Sequence, residues 1–198
     1  YIGGYFELVE YLKPQFDYDK LKDLSKILTN NLNKIIDYNY YPIPETKKSN
    51  LKHRPIGIGV QGLANVFYEM KVSFDSDKAK EVNNKIFESI YYGSLEASME
   101  IAKERENDIL KYKEGVSQLK TWSDESKFLT SEELSNLQLK YHIIKEELER
   151  SEYLGTYSTY IGSPLYHGKL QFDLWDKEVN DDLFNWSGLR EEIKKYGV

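Results

Sequence analysis

The residues that first suggest chemistry are glycines. Gly57-Ile58-Gly59-Val60-Gln61-Gly62 is a literal G-x-G-x-x-G, set between a strand-like and a helix-like segment, as a dinucleotide-binding loop requires. In such a loop the glycines let a pyrophosphate approach a helix N-terminus, and an acidic residue further on meets the ribose. Asp75, after the strand-like Val72-Ser73-Phe74, stands at about the right distance. Against this reading, Pro55 and Arg54 leave little strand before the first glycine, and the helix after the third is short. The plainer reading is a sheet or barrel strand whose glycines let neighbouring backbones come close.

The remaining chemical candidates are sparse. His53-Arg54-Pro55 is a nucleus for acid–base work, and Lys47, Lys48, Lys52, His53 and Arg54 form a basic cluster that suits either a phosphate or a solvated connector. His142 and His167 stand alone, and no histidine has metal-ligand spacing with carboxylates. The 17 tyrosines, with pairs at Tyr40-Tyr41 and Tyr91-Tyr92, read first as packing and only then as redox groups. The chain has no cysteine, which excludes disulfides, thiolate metal sites and thiol nucleophiles within these residues.

The elements that must position these residues follow from pattern. With 198 residues, 40% hydrophobic and 30% charged, the chain has the balance of one ordinary globular domain. A net charge of −6 argues against nucleic acid or anionic lipid as a general partner. No apolar run suits a membrane helix and no signal peptide is visible, so the cytosol is the expected compartment. The chain begins without Met, as a piece of a longer protein would.

Tyr5 to Leu12 reads as a short strand or loop. Asp17 caps a helix from Tyr18 to about Asn39, whose apolar face is Leu21, Leu24, Ile27, Leu28, Leu32, Ile35 and Ile36, ended by Pro42 and Pro44. A polar connector, Glu45 to Arg54, leads to a short buried strand at Ile56–Val60 and a helix carrying Leu63, Ala64, Phe67 and Met70. A second long helix is predicted from a Ser76 cap to about Glu104. From Arg105 to Glu152 charge rises. There Thr130 with Glu133 forms a candidate capping box, and Leu134, Leu137, Tyr141, Ile144 and Leu148 make a heptad-like stripe. The tail reads as a glycine-punctuated loop, an extended Leu170-Gln171-Phe172, and a helix from Asn185 or Ser187, with Leu189 and Ile193 inward and Gly197 as its C-cap.

Longer blocks carry a resemblance. Asn31 to Asp37, Asn39 to Pro42, Ser49-Asn50 and His53 to Ala64 resemble the large, catalytic subunit of class I ribonucleotide reductase. So do Phe74 to Ser76, Ile86 to Glu88, Ile90 to Gly93, Leu95 to Ser98 and Ala102 to Glu104. The likeness resumes at Tyr160 to Pro164, Gly168 to Asp173, Trp175, and Trp186 to Gly197, so it covers nearly all the chain outside the charged stretch.

The resemblance implies an α/β fold: part of the ten-stranded α/β barrel of ribonucleotide reductase, helix-rich, with an inserted helical hairpin. Residues 1–104 and 154–198 are then barrel segments, with Ile56 to Val60 a barrel strand, and 105–153 the charged helical insertion. The implied activity of the whole chain is thiyl-radical reduction of ribonucleoside diphosphates to 2′-deoxyribonucleoside diphosphates. The implied partners are a second large subunit, a small subunit carrying a metal–tyrosyl radical, and thioredoxin or glutaredoxin as reductant, with ATP and deoxynucleotides as effectors. The family's catalytic cysteines are expected before Tyr1, and its shuttle cysteines and Pro-Thr-Ala-Ser-Thr loop after Val198. No family catalytic, cofactor or metal residue therefore maps onto this chain, which alone is expected to be inactive. The alternatives are a non-catalytic paralogue whose insertion binds a partner, and a dinucleotide-binding unit using Gly57, Gly59 and Gly62.

Overall fold

A computed structural model describes residues 14–120, 130–133, 135–136 and 149–198. Helix α1 spans Tyr18–Tyr38 and begins as predicted, with Asp17 Oδ1 accepting the Lys20 N–H at 2.9 Å. It lies along the long helix α4, Asp77–Lys120, but not by the face its leucines suggested. Ser25, Thr29 and Ile36 are buried, whereas Leu24, Ile27, Leu28 and Ile35 are each about half exposed. The reason lies on α4. A Cβ added at Gly93 would meet the Lys22 carbonyl oxygen at 2.4 Å, so the two backbones approach too closely for large side chains between them. Small residues fill this seam, and Lys26 closes its edge by bonding Glu96 at 3.0 Å and Glu100 at 2.8 Å.

The expected connector from Glu45 to Arg54 is mostly helix α2, Pro44–His53. Pro44 suits the first turn, Glu45 the positive end of the helix dipole, and Lys52 with His53 the negative end. Arg54 ends the helix in the left-handed region at φ 45°, its N–H donating to Asn50 O at 2.8 Å. Burial-based reading misses α2 because none of its residues is buried.

The strand expected at Ile56–Val60 is not formed, and the described residues contain no strand. A strand exists only through ladder bonds to a neighbour, and the described residues offer this segment no such strand. Ile56 and Val60 are 40% and 37% exposed instead of buried. Helix α3, Leu63–Glu69, follows, its start set by Gly62 at φ 82°. Its Phe67 packs on Ala79, Val82, Ile86 and Ile90 of α4. The strand-like Val72 to Phe74 is a turn, with Val72 N–H donating to Phe67 O at 2.9 Å.

Ser76 caps α4 as expected, its Oγ accepting from Ala79 N at 3.1 Å. The helix does not stop near Glu104 but continues to Lys120, about 66 Å in all at 1.5 Å per residue. Nothing between Ala102 and Lys111 breaks a helix: there is no proline or glycine, and Ile109 is fully buried. The C-terminal segment folds onto the middle of α4. Tyr92, Leu95 and Met99 meet Tyr160, Leu170, Phe184, Trp186, Leu189 and Ile193 there. Leu170 to Phe172 does not form an extended segment. Gln171–Leu174 is a single turn, α5, because Asp173 Oδ2 accepts the Leu170 N–H at 2.7 Å. Helix α6, Trp186–Tyr196, starts at Asn185 and ends at Gly197, φ 74°, as its sequence indicates. Thr130 and Glu133 form the predicted capping box, with Thr130 N–H to Glu133 Oε2 at 2.7 Å and Glu133 N–H to Thr130 Oγ1 at 3.2 Å. The segment Tyr5–Leu12, the heptad-like positions from Leu134 to Leu148, and His142 lie outside the described residues.

Candidate functional site

Asn33 and Asp37 stand one turn apart on α1, so both side chains project from one face. Arg54, held by its left-handed cap at the end of α2, reaches across to them. Its Nη1 donates to Asp37 Oδ1 at 2.9 Å and its Nη2 to Asp37 Oδ2 at 2.8 Å, a fork-on-fork pair. Nε donates to Asn33 Oδ1 at 2.7 Å and Nη2 again to the Asn33 carbonyl at 2.8 Å. The guanidinium is thus engaged on both edges, and both carboxylate oxygens of Asp37 are occupied. Such a group holds a backbone in place; it neither moves a proton nor binds a free phosphate. Of the basic cluster considered above, Arg54 is therefore committed to the fold. Neighbouring His53 places Nδ1 2.9 Å from Thr159 Oγ1.

This clamp fixes the first residue before Pro55-Ile56-Gly57-Ile58-Gly59-Val60-Gln61-Gly62. Gly57, Gly59 and Gly62 have no atom within 4 Å of where a Cβ would stand. The segment is open on the side where a fingerprint loop would contact a bound group, but it has no preceding strand, and α3 behind it is only 7 residues long. The Asp75 carboxylate is engaged locally: it bonds the Ser73 hydroxyl, which with its own backbone N–H holds it below its usual range. Among the described residues the glycines thus have neither the strand nor the long helix that a dinucleotide fingerprint needs.

A cavity of about 810 Å³ lies beside the clamp, lined by Asn33, Asp37, Arg54, Tyr91, Arg105 and Val198 among others. Its far wall is the loop after residue 154. Gly155 is pressed so closely onto α4 that a Cβ would stand 1.7 Å from the Ala102 carbonyl oxygen. Ser158 in the same loop donates its N–H to Lys52 O at 3.1 Å and accepts from Arg150 Nη2 at 2.6 Å. A smaller hollow of about 400 Å³ lies by His167, Arg190 and Lys194. There Arg190 is bound to Asp173 at 2.9 Å and to the Gly168 carbonyl at 3.0 Å, and its hydrogen bond holds the Asp173 carboxyl below the usual range. Burial pushes the Tyr160 hydroxyl up to about 12.

Among the described residues no group of three or more His, Asp or Glu is placed to hold a metal ion. No described helix is long and apolar enough to cross a membrane. No sequence pattern joins Asn33 and Asp37 to Arg54, or Arg150 to Ser158. The signal available was an Asn and an Asp four residues apart, followed by an arginine before proline.

Two comparisons bear on this arrangement. The family model "Ribonucleotide reductase, barrel domain" matches residues 4–137 and 121–198. The ribonucleoside-diphosphate reductase large subunit of Variola virus is 42% identical over 184 residues, 93% of this chain and 17% of that protein. Its counterpart in Acanthamoeba polyphaga mimivirus is 41% identical over 187 residues, 93% of this chain and 16% of that protein. The Caenorhabditis elegans large subunit is 38% identical over 193 residues, 96% of this chain and 18% of that protein. The chain thus spans 16–18% of the length of these curated relatives.

Proposed function

The chain belongs to the ribonucleotide reductase barrel-domain family, and on that premise we propose that it is an internal section of a ribonucleoside-diphosphate reductase large subunit. The whole subunit would reduce ribonucleoside diphosphates to 2′-deoxyribonucleoside diphosphates in the cytoplasm. The observation that carries this reading is the 42% identity extending over 93% of the chain, far more than a short motif provides. The reading also accounts for the strand-like glycine segment. Ile56 to Val60 would complete its ladder with strands from the rest of the barrel, and Gly57 and Gly59 would let those strands come close.

On this reading the section is scaffold and contributes no reacting group. It has no cysteine to form a thiyl radical or a dithiol. The metal–tyrosyl radical would be the small subunit's, and the nucleotide effectors would bind elsewhere in the large subunit. The work of these residues is positional: the Arg54 clamp fixes where the glycine segment leaves α2, and the α1–α4 seam fixes the helices behind it. Residues 105–153 would be an insertion in the barrel. Partners of the whole subunit would be a second copy, the small subunit and a thioredoxin-like reductant.

The test is a diphosphate-reduction assay on the full-length chain with its small subunit, a dithiol reductant and ATP. Deoxynucleotide product is expected. A parent chain that lacks upstream cysteines and forms no product would replace this reading with a partner-binding paralogue.

A further inference from the structure

We infer that the two described ends of the stretch 105–153, residues 105–120 and 149–153, form a strut that positions the glycine segment, with Arg150 as its positioning residue. This rests on the barrel-section reading for its effect on activity, but not for its effect on structure.

The connection is continuous and short. On the α4 extension, Lys113 Nζ donates to the Arg150 carbonyl at 2.9 Å, tying the outgoing and returning arms of the stretch together. Arg150 Nη2 donates to Ser158 O at 2.6 Å, a charge-assisted bond. The Ser158 N–H donates to Lys52 O at 3.1 Å, so this one residue joins Arg150 to the end of α2. Thr159 adds a second tie to that end through His53 Nδ1. The next residue is Arg54, whose clamp on Asn33 and Asp37 sets the exit of Pro55 to Gly62. From the other arm, Arg105 Nη1 makes a longer contact with the same loop, 3.5 Å from the Thr156 carbonyl oxygen.

A decorative surface insertion needs no such bonds. Loop-closure entropy grows slowly with length, so a long excursion is tolerated without any tie to its parent. Here Arg150 bonds, and Arg105 approaches, backbone carbonyls of the loop that supports α2. Backbone acceptors make the tie independent of loop side chains, and the guanidinium supplies the direction. Gly155, which cannot carry a Cβ against Ala102, locks the loop to α4 where the stretch departs. The loop cannot slide along α4 to compensate for a lost arginine.

The test is hydrogen–deuterium exchange on the full-length chain, read on peptides covering Lys52 to Gly62, together with kcat and KM for diphosphate reduction. Arg150→Met keeps the length of the side chain and removes its donors. Exchange in these peptides is expected to rise about tenfold, the range for loss of a hydrogen bond to a charged group, with α6 unchanged. kcat is expected to fall while KM for the small subunit holds, and Arg150→Lys is expected to restore part of both. If Arg150→Met proves insoluble, Lys113→Ala tests the same tie from outside the core, with an exchange increase of about threefold expected from losing one surface bond. Unchanged exchange at Lys52 to Gly62 in the soluble variant would overturn the strut. A wild-type chain that makes no deoxynucleotide would instead overturn the reductase reading, and the exchange result would still decide the strut.

Discussion

The C-terminal aromatic core and the outer face of α1 both carry large apolar side chains and are opposite in fate. Tyr92 stacks on Phe184 at 4.8 Å and meets Trp186 edge-on at 4.9 Å, ring centre to ring centre, and all three are buried. Leu24, Ile27, Leu28 and Ile35 form a stripe at helical spacing and stand half exposed. The first region finds every partner within the chain. The second is left uncovered by the described residues. Apolar periodicity reports that a face is meant to be covered; it does not report by what.

The largest expected effect breaks the self-sufficient side of this comparison. Trp186 is 1% exposed and its Nε1 donates to Glu88 Oε1 at 2.9 Å, so Trp186→Ala removes both a ring and a buried bond. A loss of about 3–5 kcal/mol is expected, measured by denaturant unfolding. A loss below 1 kcal/mol would mean that this core does not hold the tail to α4.

Tyr160, in the same core, adds a pH dependence. Burial raises its pKa from 10.0 to about 12, so the fold favours the neutral phenol. Its contribution is complete below the unfolded value near 10 and is lost as pH rises to about 12. Over that window the wild type is expected to lose about 2–3 kcal/mol relative to Tyr160→Phe, at 1.4 kcal/mol per unit. Paired melts at pH 8 and pH 11.5 check it; parallel curves for the two proteins would refute it.

Arg54 lies between the two regions. Arg54→Met leaves Asp37 and Asn33 without their partner at a site where both charged side chains are under 20% exposed. A loss of about 1.5–3 kcal/mol is expected, the range for hydrogen bonds to charged groups. Exchange should rise first at Pro55 to Gly62, and a uniform rise would argue that the clamp stabilises the whole fold instead of one segment.

Local signals were legible wherever a side chain acts on its own backbone. Asp17, Ser76, Asn185, Gly197 and the Thr130–Glu133 pair all cap as their types require. The helices α1, α3 and α6 follow from spacing. Three things were not legible. Helix α2 has no buried face to announce it, and α4 continues through Glu104 because charge by itself does not end a helix. The seam between α1 and α4 is chosen by Gly93, a residue on the partner helix, so no pattern within α1 shows it. The site was least legible of all. The glycine motif reads as a ligand loop from type and spacing, whereas its role depends on which backbones lie beside it. The Arg54 clamp joins residues from two helices that spacing alone does not bring together.

The smallest expected effect sharpens the comparison most. Ile27 is 56% exposed on the outer face of α1, so Ile27→Lys in this chain removes little buried area and keeps a good helix former. Its stability is expected to change by less than about 0.5 kcal/mol, as for other surface positions. The same substitution in the full-length subunit is expected to cost about 1.5–3 kcal/mol or more, because a buried isoleucine's transfer energy is lost and a charge is placed against the barrel. The isolated chain should also self-associate through this stripe, and Ile27→Lys should shift it toward monomer in sedimentation velocity. The two contexts must differ if the stripe awaits the rest of the barrel. Equal, near-zero effects in both would make it an ordinary solvated face, and the contrast with the aromatic core would reduce to a difference in packing density.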